Sequence, residues 1–107
     1  MAPVARIVIS PKSKKKYQAT ISKSDGSVTT VHFGDKKFKD FTMHKDPRRK
    51  ARYLLRSEPN QDWTIDGLET AGFWSRWLLW NKPTIRSSIV DLNSRFQGQL
   101  TVSFLPK

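Results

Sequence analysis

The chain has 107 residues, enough for one small domain that buries its own core without metals or disulfides. It contains no cysteine, which excludes a disulfide framework, a thiolate metal site and a cysteine nucleophile. The formal net charge is +11, and all of this excess lies in residues 1–56, because acids and bases balance over residues 57–107. This asymmetry favours a polyanionic partner, since a surface that serves only solubility usually intersperses both signs.

The first third of the chain predicts β-strands. Short β-branched or alternating segments predict four of them, over residues 4–9, 17–22, 28–33 and 38–44. A basic loop is expected at residues 12–16, and the turn residues Ser24-Asp-Gly-Ser27 predict a hairpin between the second and third strands. Alternation places Val31 and Phe33 on one face of the third strand and His32 on the other.

The second half predicts helices, each beginning at a side-chain cap. These are residues 48–57 after Asp46-Pro47, a Trp-rich helix that starts at Thr70 and ends before Pro83, and a helix from Thr84 that ends at Gly98. Apolar residues of the last helix recur at helical spacing, at Ile85, Ile89, Leu92 and Phe96. Residues 58–69 are expected to form an ordered loop that places Trp63 against the core.

A returning strand is predicted near the C-terminus, where Leu100, Val102 and Phe104 alternate. Strands, then helices, then a strand, without an internal repeat, indicate an α+β fold in a single basic domain spanning residues 1–107. We expect a small antiparallel sheet, made of the N-terminal hairpin strands and the C-terminal strand, packed against about three helices, the central one Trp-rich.

The Trp-rich segment, residues 70–84, allows two main interpretations. Its large aromatic side chains, with the nearby Trp63, form a set of core or interface residues: Trp63, Phe73, Trp74, Trp77 and Trp80. Because the helix is apolar around its circumference, a buried core helix is favoured. The alternative is a Trp face exposed as an interface anchor. A helix lying in lipid headgroups is disfavoured because the segment lacks a strongly charged face.

Several segments resemble an uncharacterised small domain of large DNA viruses of algae and protists. They are Val31-His-Phe-Gly34, Thr42-Met-His-Lys-Asp46, Arg52-Tyr53 and the run from Thr70 to Thr84. The resemblance covers residues 28–96, and the chain departs from the family pattern at Arg56-Ser-Glu58, where the family has a further basic stretch with histidine. It implies a viral setting but no mechanism, since the family has no established activity.

Catalysis is not expected. A phosphodiesterase site at His44-Lys45-Asp46 is disfavoured because Asp46 has the position of a helix cap. The sequence has no metal-ligand pair at helical spacing and no glycine-rich phosphate loop. We therefore predict a binding protein that is not an enzyme and has no cofactor or metal, and we expect no transmembrane segment.

Two binding roles remain open. In the first and preferred role, the protein is a minor capsid or cementing component of a virus particle, present in multiple copies and docked on acidic virion proteins. In the second, it is a sequence-tolerant nucleic-acid-binding protein associated with the genome, with Tyr17 or Phe38 as stacking residues. In both roles the polyanion-binding residues are the same: Lys12, Lys14, Lys15, Lys16, Arg48, Arg49, Lys50, Arg52 and Arg56. The expected location is the virion, and the host cytoplasm or nucleus during infection.

Overall fold

The computed structural model describes residues 2–105. Its elements in chain order are β1 (Val4–Ile9), β2 (Lys15–Ser22), β3 (Val28–Asp35), α1 (Phe41–His44), α2 (Pro47–Ser57), α3 (Ala71–Trp74), α4 (Ile85–Arg95) and β4 (Thr101–Leu105). Helix α3 continues into a π-helical turn, Ser75–Leu79, and two 3₁₀ turns, Glu58–Asn60 and Ile65–Gly67, lie between α2 and α3. The α+β class predicted from the sequence is confirmed. No helix within residues 2–105 is long and apolar enough to cross a membrane.

The four strands form one sheet in the order β3-β2-β1-β4. The pairs β1–β2 and β2–β3 are antiparallel, whereas β4 pairs with β1 in parallel, with Ile7 opposite Phe104. The sheet is therefore mixed, and the prediction of an entirely antiparallel sheet was wrong for β4. Parallel strands need a long crossover, which the helical segment between β3 and β4 supplies.

The predicted fourth strand at residues 38–44 is instead a turn followed by helix α1. Asp40 begins this helix, since its carboxylate accepts a hydrogen bond from the Thr42 backbone N–H at 2.9 Å. Lys45, with φ of 55°, ends it in the left-handed conformation. A local side-chain cap thus overrides the weak strand pattern of this segment.

Helix α2 forms where predicted, but none of its residues is buried. Asp46 caps it, and the apolar side that the sequence indicated is open to solvent at Leu55, which is 79% exposed. The helix is attached mainly through the ring of Tyr53, which lies 4.3 Å from the Trp80 ring at an interplanar angle of 2° and 6.5 Å from that of Trp63. Stacked aromatic pairs of this kind contribute more to stability than the apolar area that they bury would predict.

The Trp-rich segment supplies the core. Phe73 and Trp74 are fully buried and Trp77 is 7% exposed, so these three belong to the interior and not to an exposed interface. The indole N–H groups are satisfied locally: that of Trp74 donates to the Leu68 carbonyl at 2.8 Å, and that of Trp77 donates to the Trp63 carbonyl at 2.9 Å. The favoured interpretation as a core helix is confirmed for Phe73, Trp74 and Trp77.

The end of β3 approaches the Trp-rich segment closely at Gly34. This residue has φ of 81°, and a Cβ added to it would lie 2.9 Å from Leu79 Cδ1 and 3.1 Å from Lys16 Cβ. Only glycine combines this conformation with such an approach at low cost. The turn that follows β3 is thereby brought beside Trp80 and helix α2, where the candidate site lies.

Candidate polyanion-binding groove

A groove runs between helix α2 and the turn that follows β3. Two adjoining cavities of about 220 and 230 Å³ form it, and they share Phe38, Lys39, Arg56 and Trp80. Leu79 and Trp80 form its floor, the segment from Asp35 to Asp40 forms one wall and α2 forms the other. We call this cleft the α2 groove.

Four cationic side chains line the α2 groove: Lys39, Arg49, Arg52 and Arg56. All four residues are solvent-exposed. Among residues 2–105, none of them has a carboxylate oxygen within 4.0 Å, and α2 contains no acidic residue. The three arginines follow one another at intervals of three and four residues, which places them on one side of the helix. The groove therefore holds a concentrated positive charge, and its four cationic side chains have no ion-pair partner among residues 2–105.

Two of the predicted polyanion-binding residues are engaged inside the protein. Lys16 forms an ion pair with Asp40, and its side chain is only 14% exposed. The Lys50 ammonium donates to the Asn81 carbonyl at 2.6 Å and lies 5.1 Å from the centre of the Phe41 ring. Burial, and then the nearby cationic charges, lower the pKa of Lys50. Both lysines are better explained as structural contacts than as contacts to an external anion.

The remaining predicted cations lie outside the groove. Lys12 and Lys14 occupy the turn before β2, Lys15 begins that strand opposite Asp35, and Arg48 is exposed in the first turn of α2. Of the nine residues predicted from the sequence, the structure brings Arg49, Arg52 and Arg56 together around the groove, with Lys16 at one end.

The two candidate stacking residues have different surroundings. Phe38 is 66% exposed and lines both cavities of the groove. Tyr17 is half-buried and packs against the rings of Phe33 and Phe104 at 5.9 and 6.2 Å. Burial, and then the charge of Asp40, raise the pKa of Tyr17. Phe38 therefore remains a candidate to stack on a ligand, whereas the ring of Tyr17 is largely used by the core.

The carboxylates of the groove are confined to its Lys16 end. Asp40 is 3% exposed and is neutralised by Lys16 while it caps α1. Asp35 is exposed, and its Oδ1 accepts a hydrogen bond from the Lys37 backbone N–H at 2.9 Å. Both line the cavity that Lys16 reaches and neither lines the cavity of Arg49 and Arg52. An anionic group is therefore favoured at the arginine end.

Both histidines are hydrogen-bonded within the protein, His44 to a neighbouring residue and His32 to Ser10, which follows β1. The His44 Nδ1 accepts a hydrogen bond from the Asp46 backbone N–H at 3.0 Å, while Asp46 caps α2, as the sequence indicated. Burial, and then the charge of Arg49, lower the pKa of His44. His32 is hydrogen-bonded through Nδ1 to the Ser10 hydroxyl at 2.9 Å. No group of three His, Asp or Glu side chains within residues 2–105 could hold a metal ion.

A larger depression of about 450 Å³ lies on the other side of Lys16. Its lining includes Ile9, Tyr17 and Met43, and its cations are Lys36 and the already paired Lys16. This depression is larger than either cavity of the α2 groove, but a polyanion-binding site needs positive charge that is not already paired. The α2 groove is the better candidate on that criterion.

The sequence did not indicate Lys39 as a contributor to the groove, and it left the position of Trp80 open between core and interface. Lys39 is not among the nine predicted cations, although the alternation of base and aromatic in Lys37-Phe38-Lys39 was a signal. Trp80 was predicted as a core or interface residue, and it is half-buried, with Tyr53 on its ring and the groove beside it. Only the folded chain brings these residues together.

The first half of the chain has a family match. Residues 5–57 match a family of unknown function (DUF5754). The matched segment, about half of the chain, runs from β1 to the end of α2 and includes all four groove cations, but it stops before the Trp-rich segment. The family description names no activity and no ligand. No curated protein and no solved structure matches the chain.

Proposed function

We propose that this protein is a non-enzymatic, sequence-tolerant nucleic-acid-binding protein whose α2 groove contacts the phosphate backbone. The observation that carries the proposal is the clustering of Lys39, Arg49, Arg52 and Arg56 around one cleft, without an ion-pair partner among residues 2–105. Arginine and lysine bind phosphate through charge-assisted hydrogen bonds and release condensed counterions, which supplies most of the affinity of non-specific binding.

The shape of the groove supports a backbone contact over a base-reading one. Helix α2 spans only 11 residues, and its stacking on Trp80 holds it beside the domain. Its arginines lie beside a cleft and are not displayed along a protruding recognition helix. Phosphate contacts of this kind position a protein on nucleic acid without reading its sequence. Sequence tolerance follows from that geometry.

The salt dependence of binding tests the proposal. Fluorescence anisotropy with labelled oligonucleotides of mixed sequence gives the slope of log K against log salt concentration. Each phosphate neutralised contributes about −0.7 to −0.9 to that slope. The triple variant Arg49→Gln, Arg52→Gln, Arg56→Gln should therefore bind more weakly, with a slope reduced in magnitude by about 2 to 3.

A matched control separates the groove from net charge. The triple variant Arg6→Gln, Lys82→Gln, Arg86→Gln removes the same charge from exposed residues that do not line the groove. It should keep most of the slope. Equal losses in the two triple variants would contradict the proposal, because binding would then follow net charge and not the groove.

A second candidate is the structural role in a virus particle, in which the same basic surface docks on an acidic virion protein. One observation favours it: Leu55 is 79% exposed on α2, the helix that carries the groove arginines, and a protein interface can use an apolar and a basic side chain together. The viral setting itself rests on the sequence resemblance. Because Phe73, Trp74 and Trp77 are buried, they do not contribute an exposed aromatic surface to such docking.

Cross-linking mass spectrometry on gently opened particles would test this second role. Lysine cross-links from Lys39 or Lys45 to shell proteins, with the protein retained in the shell fraction, would support docking on a protein. Photo-cross-links to nucleic acid and release with the genome would support the primary proposal. Absence from the particle would remove the structural role.

A further inference from the structure

The Phe38 ring is presented by an ordered turn. The Phe38 backbone N–H donates to the Asp35 carbonyl at 3.1 Å, and the Phe38 carbonyl accepts from the Lys16 ammonium at 2.7 Å. Lys16 is in turn held by its ion pair with Asp40. Because these contacts fix the backbone from which the exposed ring projects, less backbone ordering is required when a ligand covers the ring.

Trp80 gives the groove a rigid floor. Its ring stacks on Tyr53 at 4.3 Å and has the tilted His44 ring 5.3 Å away, and its carbonyl accepts a hydrogen bond from Arg76 at 2.9 Å. Its backbone N–H donates to the Ser75 carbonyl at 3.0 Å, which closes the π-helical turn. Phe38 and Trp80 therefore line one cleft from two separate, fixed parts of the chain.

The charges of the groove give it a direction. Arg49 and Arg52 line the cavity that has no acidic residue, while Asp35 lies towards the other end. A phosphate is attracted more strongly to the first end, because the Asp35 carboxylate reduces the positive potential of the second. A ligand that carries a flat uncharged ring next to a phosphate fits this arrangement, because its ring can lie at Phe38 while its phosphate lies near Arg49 and Arg52.

We propose that the α2 groove binds single-stranded nucleic acid in preference to duplex, with one unpaired base placed against Phe38 above Trp80 and the neighbouring phosphates among Lys39, Arg49, Arg52 and Arg56. A base in a duplex is stacked and paired, so it cannot enter such a cleft without being extruded, whereas a single strand offers its bases freely. This inference rests on the proposed function and adds the class of nucleic acid. Stacking tolerates any base, which agrees with sequence-tolerant binding.

The test compares a single-stranded oligonucleotide with a duplex of the same sequence, by anisotropy at physiological salt, with DNA and RNA versions of each. For the single strands, Phe38→Ala should weaken binding by about 5- to 150-fold, which is the typical contribution of one stacked base. Duplex affinity should change less than twofold. Phe38→Trp should retain single-strand binding, whereas Phe38→Leu, which is apolar but cannot stack, should resemble Phe38→Ala.

Leu55→Ala is the matched control, because Leu55 is also a large exposed apolar residue but does not line the groove. It should leave both affinities unchanged. If single strand and duplex bind equally and Phe38→Ala changes neither, the inference is overturned while backbone binding by the groove stands. If neither form binds at physiological salt, the proposed function fails with it. A higher affinity for the DNA or for the RNA single strand would show which of the two nucleic acids the groove prefers.

Discussion

Replacing Trp77 by alanine tests whether the Trp-rich segment is the core of this fold. Its side chain is 7% exposed, and its indole donates a hydrogen bond to the Trp63 carbonyl at 2.9 Å. The guanidinium groups of Arg76 and Arg95 lie 4.3 and 4.6 Å from its ring centre. Truncating a buried Trp costs about 3–5 kcal/mol. Loss of the hydrogen bond and of the two cation–π contacts places Trp77→Ala towards the upper end of that range.

That loss is a large part of the total stability of a domain, about 5–15 kcal/mol. Each kcal/mol lowers the melting temperature of a domain near this size by about 4–8 °C, so a decrease of at least about 12 °C is expected. Thermal unfolding followed by far-ultraviolet circular dichroism measures it. The control Phe38→Ala, at an exposed position, should change stability by less than about 0.5 kcal/mol. An unchanged melting temperature in Trp77→Ala together with loss of a binding partner would refute the core assignment.

Three further predictions concern the elements that shape the groove. Gly34→Ala should destabilise the protein by more than about 1 kcal/mol, because the new Cβ combines a positive φ with a steric clash. Gly26→Ala, with the same sign of φ but open space around it, should cost less. Chemical denaturation measures both, and equal costs would contradict the close packing of Gly34 against Leu79 and Lys16. Burial lowers the pKa of His44 in the folded protein, so as the pH drops from 7 towards 5 the unfolded chain binds a proton at a higher pH than the folded one, and the free energy of unfolding should decrease. The His44→Gln variant should lose this pH dependence of unfolding. If the dependence persists in the variant, His44 is not its source. Asp40→Ala should lower the free energy of unfolding by about 3 kcal/mol, because it leaves the nearly buried ammonium of Lys16 without its carboxylate. A melting temperature within a degree or two of wild type would show that this ion pair does not stabilise the fold.

Much of the fold follows from local patterns in the sequence. A short β-branched run predicted β1, alternation predicted β2, β3 and β4, and the caps Asp46, Thr70 and Thr84 predicted the starts of three helices. These signals are local, because a cap or an alternating face depends on residues a few positions apart. The direction of a strand is not a local property. An alternating sequence has the same pattern in a parallel and an antiparallel pair, so the alternation in β4 could not predict its parallel pairing with β1.

The candidate site was only partly predictable for the same reason. Charge asymmetry identified the basic half, and Arg49, Arg52 and Arg56 were in the predicted set. That Lys16 and Lys50 are used internally depends on Asp40 and on the Asn81 carbonyl, 24 and 31 residues away along the chain. No local pattern distinguishes a lysine that will find such a partner from one that stays free.

Photo-cross-linking identifies which residues of the protein contact nucleic acid and therefore tests binding in the α2 groove. A photoreactive single-stranded oligonucleotide is bound to the intact chain at physiological salt and irradiated, and the attached peptides are located by mass spectrometry. The cross-links should fall on Phe38 and Trp80 and on the α2 segment from Arg49 to Arg56. Cross-links concentrated instead around Arg6, which is exposed on β1 and does not line the groove, would contradict groove binding.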